Sequence, residues 1–156
     1  MNATIKKLSS SDTRLFEELI KVFEDVFEMK NFKMPHRLHL LHVLSEDGFI
    51  VFVALVEDKV VGGLTAYTMQ QYYSSEPLAY IYDLAVNREV QRQGMGKLLV
   101  SSLNNYCKEK GYEEVFVQAD KIDEHAIEFY RSSGGIREEV VHFNYPLTDK
   151  AKQNYK

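Results

Sequence analysis

Between Leu15 and Phe27, apolar side chains recur at Leu15, Phe16, Leu19, Ile20, Phe23, Val26 and Phe27. That spacing gathers them on one face of a helix. Ser11-Asp12 offers an N-cap ahead of it, and Thr4 to Leu8 reads as a short first strand. Pro35 suits a first helical turn, and Leu38, Leu41, Val43 and Leu44 carry a second helix toward Gly48. The pattern then switches to β-branched and aromatic residues. Phe49 to Val56, the tight turn Glu57-Asp58-Lys59 and the return Val60 to Met69 predict a hairpin. After a polar connection, Leu78 to Val86 is a third long strand whose apolar run predicts burial on both faces. Helical spacing resumes at Leu98, Leu99, Leu103, Tyr106 and Cys107, closing on Lys108, Lys110 and Gly111. Val115 to Ala119 alternates as a strand, and Asp123 caps a helix carrying Ala126, Ile127, Phe129 and Tyr130 that stops at Gly134-Gly135. Ile136 to Leu147 is the last predicted strand region.

The predicted order is β-α-α-β-β-β-α-β-α-β, an α/β fold (α+β by some schemes). Its two strand-helix-strand passages imply a mixed central sheet that is partly parallel, with right-handed crossovers. At 156 residues the chain is expected to form a single domain over 1–156, with 148–156 as a polar tail.

Composition narrows the function. The longest apolar run has eight residues, Phe49 to Val56, against the ~20 that a membrane-spanning helix needs. Met1 to Ser10 carries no apolar stretch or cleavage site of a secretory leader, so the expectation is a cytoplasmic protein without membrane partners. Cys107 is the single cysteine and sits in a helical pattern where it packs rather than reacts. His36, His39 and His42 share a helical face only in part, with no carboxylate at ligand spacing, and no metal is expected. A net charge of −4 without a Lys/Arg block argues against nucleic acid and for a cationic partner.

The densest chemical signal is Gln91-Arg92-Gln93-Gly94-Met95-Gly96-Lys97, between the strand ending at Val86 and the helix containing Leu98 and Leu99. Two glycines let the backbone turn tightly and approach a ligand, and a helix N-terminus offers unpaired N–H groups with a positive dipole end. The combination fits a pyrophosphate. The spacing matches neither a P-loop nor a dinucleotide fingerprint. Taken alone, a plain glycine-containing turn explains the same residues equally well.

The Gln-x-x-Gly-x-Gly loop follows a strand reading Asp83-Leu84-Ala85-Val86 and precedes a strand, a helix and Tyr130 before Gly134-Gly135. In this arrangement, from Thr4 to Leu147, the chain resembles the GNAT superfamily of acetyl-coenzyme A-dependent N-acetyltransferases. Four blocks narrow the resemblance: Tyr80 to Val86, Arg92-Gln93-Gly94, Val117 to Asp120, and Ile136 to Phe143. In that order they look like the class I aminoglycoside 3-N-acetyltransferases of gentamicin resistance. The resemblance implies an enzyme that moves the acetyl group of acetyl-CoA directly onto a primary amine in a ternary complex, with an aminoglycoside as acceptor. The open alternatives are another small amine, a polyamine, a protein N-terminus, or a non-catalytic CoA-binding module.

It further implies that amides of Gln91, Arg92, Gln93, Gly94, Met95, Gly96 and Lys97 hold the coenzyme pyrophosphate. Backbone groups of Leu84, Ala85 and Val86 would bind the pantetheine arm, and the central parallel strands would splay to admit the thioester. Tyr130 would protonate the leaving thiolate, and a homodimer would pair through the last strand region.

For the amine proton, Asp83 stands out as a carboxylate in an otherwise apolar strand, where it is costly unless paired, ligated or facing a cleft. Asp120 is the second candidate. Between Glu113 and Glu139 eight acidic residues face three basic ones, a concentration that suits a polyamino acceptor. Asp123, Glu124 and Glu139 are the candidate acceptor contacts there. The chain departs from the class I pattern at two places on the acceptor side: Asp123-Glu124-His125 replaces an Asp-Asp-Pro step, and Asn144 follows Phe143 where an aspartate is expected.

Overall fold

The computed structural model describes residues 2–155, which group into two units, one through residue 120 and one from residue 121. The first unit is built on a five-stranded sheet in the order β1-β2-β3-β4-β5. Its strands are β1 (Thr4–Lys7), β2 (Phe49–Val56), β3 (Lys59–Met69), β4 (Leu78–Val86) and β5 (Glu114–Val117). Each successive pair from β1 to β4 is antiparallel, whereas β5 runs parallel to β4. The turn between β2 and β3 takes positive φ at both Glu57 and Asp58, the twist that a two-residue hairpin favours.

Two helices, α1 (Thr13–Val26) and α2 (Arg37–Leu44), cover one face of the sheet. Leu15, Phe16, Leu19 and Phe23 from α1 join Leu40 and Leu44 from α2 over Val51, Val53, Val60 and Ala85. The other face lies under α3 (Met95–Glu109), where Met95, Leu99, Leu103 and Cys107 meet Ile50, Phe52, Leu64, Ala66, Ala79 and Ile81. The alternation of Ile50/Phe52 with Val51/Val53 between these cores is the period of two expected of a strand covered on both sides.

Helix α1 comes so close to β3 that Gly63 has no room for a side chain: a Cβ there would lie 2.6 Å from both Leu19 Cδ1 and the Phe52 carbonyl oxygen. The backbone oxygen cannot yield as a side chain could. Gly63→Ala is therefore expected to cost about 1–3 kcal/mol, read as a lowered Tm by calorimetry; an unchanged Tm would contradict this packing.

The second unit contains α4 (Glu124–Ser132) and α5 (Asp149–Lys152), followed by a 3-10 turn over Gln153–Tyr155. The segment expected to be polar at 148–156 is thus partly helical, started by the Thr148 side chain accepting from the Ala151 N–H.

Several expectations need correction. The strand predicted for Ile136 to Leu147 is not formed: the segment has no ladder partner among the described residues, and Phe143, Tyr145 and Leu147 are exposed. Its alternation supplies a strand's side chains, but ladder hydrogen bonds need a second edge. Asp12 occupies the N-cap position of α1 without capping it; its carboxylate instead accepts from the Ser9 N–H at 2.8 Å and pairs with Lys6. Helix α2 starts two residues after Pro35, capped by the His36 ring, and ends at Leu44, short of Gly48. Strand β5 stops at Val117 rather than Ala119. Strand β4 is not buried on both faces throughout, because Tyr82 is exposed. On α3, Leu98 faces outward while Met95 and Val100 are buried.

Candidate active site

Strands β4 and β5 pair over four positions, from Leu78↔Glu114 to Ile81↔Val117, where β5 ends. Beyond this point β4 continues through Tyr82, Asp83, Leu84, Ala85 and Val86 with no ladder partner on the β5 side among the described residues. The unpaired stretch of β4 lies where the resemblance leads one to expect the parallel strands to splay. An open strand edge presents N–H and C=O groups to any extended chain laid along it.

A β-bulge sits at the same place. Thr65 pairs with Asp83 and Ala66 with Ile81, leaving Tyr82 as an extra residue on β4. The extra residue inverts the strand's facing. Ile81 belongs to the core under α3, while Ala85, which would share its face in a regular strand, belongs to the core under α1. Without the bulge Asp83 would project beneath α3 with Ile81; with it, Asp83 joins the α1 side of the sheet. Its N–H donates to Thr65 Oγ1 at 3.3 Å. The side chain is half-buried, and burial raises its carboxyl above the ordinary carboxylate pKa. Here desolvation disfavours the charged form, which makes the carboxylate a stronger proton acceptor once ionised.

The loop after β4 leads into α3. The Gln91 side-chain amide donates to the Val86 carbonyl at 2.8 Å, closing the end of the strand. Arg92 and Gly94 both take positive φ, at 64° and 85°. Gly94 is the N-cap of α3 in the left-handed region, with no side-chain cap and no heavy atom within 4 Å of where a Cβ would lie. The first amides of α3 thus face outward unclaimed by a capping side chain, the donor set that a phosphate group needs. Arg88 ties the base of this loop to the end of α1, pairing with Asp25 and donating to the Asp25 and Val26 carbonyls. Together with the open β4 edge, these residues fit a nucleotide-linked, extended thioester carrier.

On the α1 side of the sheet, an aromatic row crosses four strands in register: Phe49↔Tyr67, Tyr67↔Tyr80 and Tyr80↔Phe116. Phe49 and Tyr67 approach to 5.1 Å between ring centroids, and Tyr80 stacks on Phe116 at 4.9 Å. Tyr82 stands perpendicular to both Tyr67 and Tyr80. Burial, then Tyr82, then the Asp83 charge raise the phenol pKa values of Tyr67 and Tyr80. No local pattern in the sequence marks this row. Tyr80-Ile81-Tyr82 is a same-face signal within one strand, but the register that aligns it with Tyr67 and Phe116 lies across strands.

The other predicted residues are distributed between the units. Asp120 is exposed, three residues past the end of β5 in the first unit. In the second unit Asp123 caps α4 by accepting from the Ala126 N–H at 3.0 Å, and Glu124 is exposed in the first turn. Tyr130 lies on α4, its ring 5.1 Å from Phe129. Glu139 pairs with Arg137 at 3.2 Å. Cys107 is buried in the core under α3 and its thiol is pushed up to about 11, in keeping with a packing role.

Residues 13–134 match the acetyltransferase (GNAT) family. Among solved structures, an aminoglycoside acetyltransferase from an uncultured soil metagenomic sample, in complex with sisomicin, is 54% identical. It superposes with a TM-score of 0.92 over 94% of this chain and 97% of that one. A second aminoglycoside acetyltransferase of soil metagenomic origin is 34% identical, with a TM-score of 0.89 over 95% of this chain and 100% of that one. Human N-acetyltransferase 8 is 34% identical over 91 residues, 58% of this chain, and the match spans 40% of the human protein.

Proposed function

Because the chain belongs to the acetyltransferase (GNAT) family, an acetyl-CoA-dependent group of N-acetyltransferases, we propose that it acetylates a primary amine of a cationic acceptor, with an aminoglycoside as substrate. The observation that carries this reading is the open edge of β4 beyond its last pair with β5, Ile81↔Val117, with half-buried Asp83 two residues further on. Similarity to the sisomicin-bound enzyme supports the acceptor class.

When bound, acetyl-CoA supplies a thioester carbonyl open to attack by an amine. The open amides of Gly94, Met95, Gly96 and Lys97, flanked by Gln91, Arg92 and Gln93, would hold its pyrophosphate. Backbone groups of Leu84, Ala85 and Val86 would align its arm, and the N–H of Leu84 or Ala85 would steady the developing oxyanion. Asp83 takes the proton that the acceptor nitrogen loses. With the coenzyme bound, the Tyr130 hydroxyl would be the group that gives a proton to the leaving sulfur, the role the family resemblance implies for it. The net change is one amide and one thiol formed, with one proton released from an ammonium acceptor. Asp120, Asp123, Glu124 and Glu139 would attract the acceptor's remaining ammonium groups. In this reading the acetylated position is the 3-amine, and acetylation neutralises a charge, consistent with antibiotic resistance. The exposed Phe143, Tyr145 and Leu147 supply apolar surface for a homodimer.

A thiol-release assay across sisomicin, gentamicin, spermidine and a peptide with a free N-terminus tests the proposal. The aminoglycosides are expected to turn over fastest. Preference for spermidine or the peptide would transfer the acceptor assignment, and acetyl-CoA binding without turnover on any amine would indicate a binding module.

A further inference from the structure

Five contacting aromatic residues surround the point where β4 bulges, yet only Phe49 packs against either hydrophobic core. Tyr67 and Tyr82 are 44% and 60% exposed. Rings of this size left in contact with each other and with water are a costly surface to maintain without a ligand.

Their geometry is specific. Tyr82, the bulge residue, has its ring centroid 5.7 Å from Tyr67 at 87° and 6.1 Å from Tyr80 at 89°. Three rings therefore form a corner, with the Asp83 carboxylate beside it on the same side of the sheet. Tyr80 is held from behind by its stack on Phe116 and by its hydroxyl, which donates to Gln118 Oε1 at 3.1 Å. Tyr67 is braced by Phe49, which in turn packs on Phe16 of α1. The walls are thus positioned from the sheet and not from a loop. Both lysines that lie over aromatic rings among the described residues, Lys7 and Lys110, serve Tyr106 beneath the opposite face. Tyrosine faces attract a cation within about 6 Å of the ring centroid, most strongly where water is partly excluded. An adjacent carboxylate adds charge complementarity, and the apolar ring faces also pack against C–H surfaces.

We propose that Tyr67, Tyr80 and Tyr82, with Asp83 at their edge, form an acceptor subsite that binds a protonated amine carried on a saturated ring, stacking the ring's C–H face and holding its ammonium. This rests on the acetyl-transfer reading and deepens it: the aromatic corner selects an alicyclic amine over a flexible chain amine, because a rigid ring fills it with less conformational entropy to lose. The bulge has two consequences in one place. It lifts Asp83 out of the α3 core and inserts Tyr82 as the third wall.

Binding can be followed without turnover. With tyrosine rings isotopically labelled in the full chain, NMR titration with cyclohexylammonium is expected to shift the ring signals of Tyr67, Tyr80 and Tyr82, while neutral cyclohexanol leaves them in place. Equal shifts with both compounds, or shifts confined to other tyrosines, would overturn the subsite. In steady-state assays Tyr82→Leu and Tyr67→Leu should each raise KM for sisomicin by about ten-fold. Tyr82→Phe should restore it to near the wild-type value, and acetyl-CoA affinity should be unaffected in all three. Unchanged KM in both leucine variants would refute the proposal. A wild-type chain that acetylates no amine yet gives the cation-specific shifts would reject the acetyl-transfer reading while retaining the subsite.

Discussion

Asp83→Asn should lower kcat/KM for an amine acceptor by about 10²–10⁴-fold, the span usual for a positioned general base, while raising thermal stability at neutral pH. The two effects have one cause. Burial holds the Asp83 carboxyl above the ordinary carboxylate pKa, so ionising it costs more in the folded chain than in the unfolded one. A group raised in this way contributes stability that is fully present below its unfolded pKa and lost as pH rises through the folded value. Asparagine keeps the shape and the N–H donated to Thr65 Oγ1, but has no charge to desolvate. The melting curves of variant and wild type should therefore converge in acid and separate toward neutrality, with the variant more stable. A simple packing residue would show no such gain. An aspartate at ordinary pKa would leave the two curves parallel. Wild-type turnover in the variant would remove Asp83 as the base.

The second large effect is expected at Tyr130. Tyr130→Phe should reduce kcat by about 10²-fold or more with little change in acetyl-CoA affinity, since it removes a proton donor and leaves the ring. The loss should shrink when the acetyl donor carries a more acidic thiol leaving group, which needs less help from an acid. If binding and turnover fall together, Tyr130 supports α4 and the proton comes from elsewhere. If the loss is the same for both donors, the hydroxyl does not protonate sulfur.

How much of this was legible in the chain depends on the range of the interactions involved. Helix α1 was readable because Leu15, Leu19 and Phe23 repeat at the helical period and bury together. The β2–β3 hairpin was readable because its partners are joined by a two-residue turn. The loop into α3 was readable because Gly94 does local work, adopting a φ of 85° at the helix cap.

What escaped depends on pairing across the sheet. Asp83 could be singled out as a carboxylate in an apolar strand, yet its side of the sheet is set by a bulge relative to Thr65 and Ala66, eighteen and seventeen residues earlier. Counting alternation from Ile81 places it under α3, the wrong side. The row Phe49, Tyr67, Tyr80 and Phe116 is drawn from four strands and appears only once their registers are known. The reverse holds for Val141, Phe143, Tyr145 and Leu147: their alternation looks like a strand, but an alternating pattern has no hydrogen-bonding partner of its own, and the segment forms no strand and leaves these side chains exposed. Asp123 was legible as a helix cap, and its carboxylate accepts from the Ala126 N–H.

The central claim is that this chain transfers one acetyl group from acetyl-CoA to an aminoglycoside amine, with Asp83 on the open edge strand as proton acceptor. It is tested most directly by incubating the protein with acetyl-CoA and sisomicin and following product mass and free thiol together, for wild type and Asp83→Asn. The expected result is a single acetyl addition to sisomicin with one thiol released per product, and near-complete loss of both in the variant. Thiol release without an acetylated aminoglycoside, or equal product from the two proteins, would contradict it.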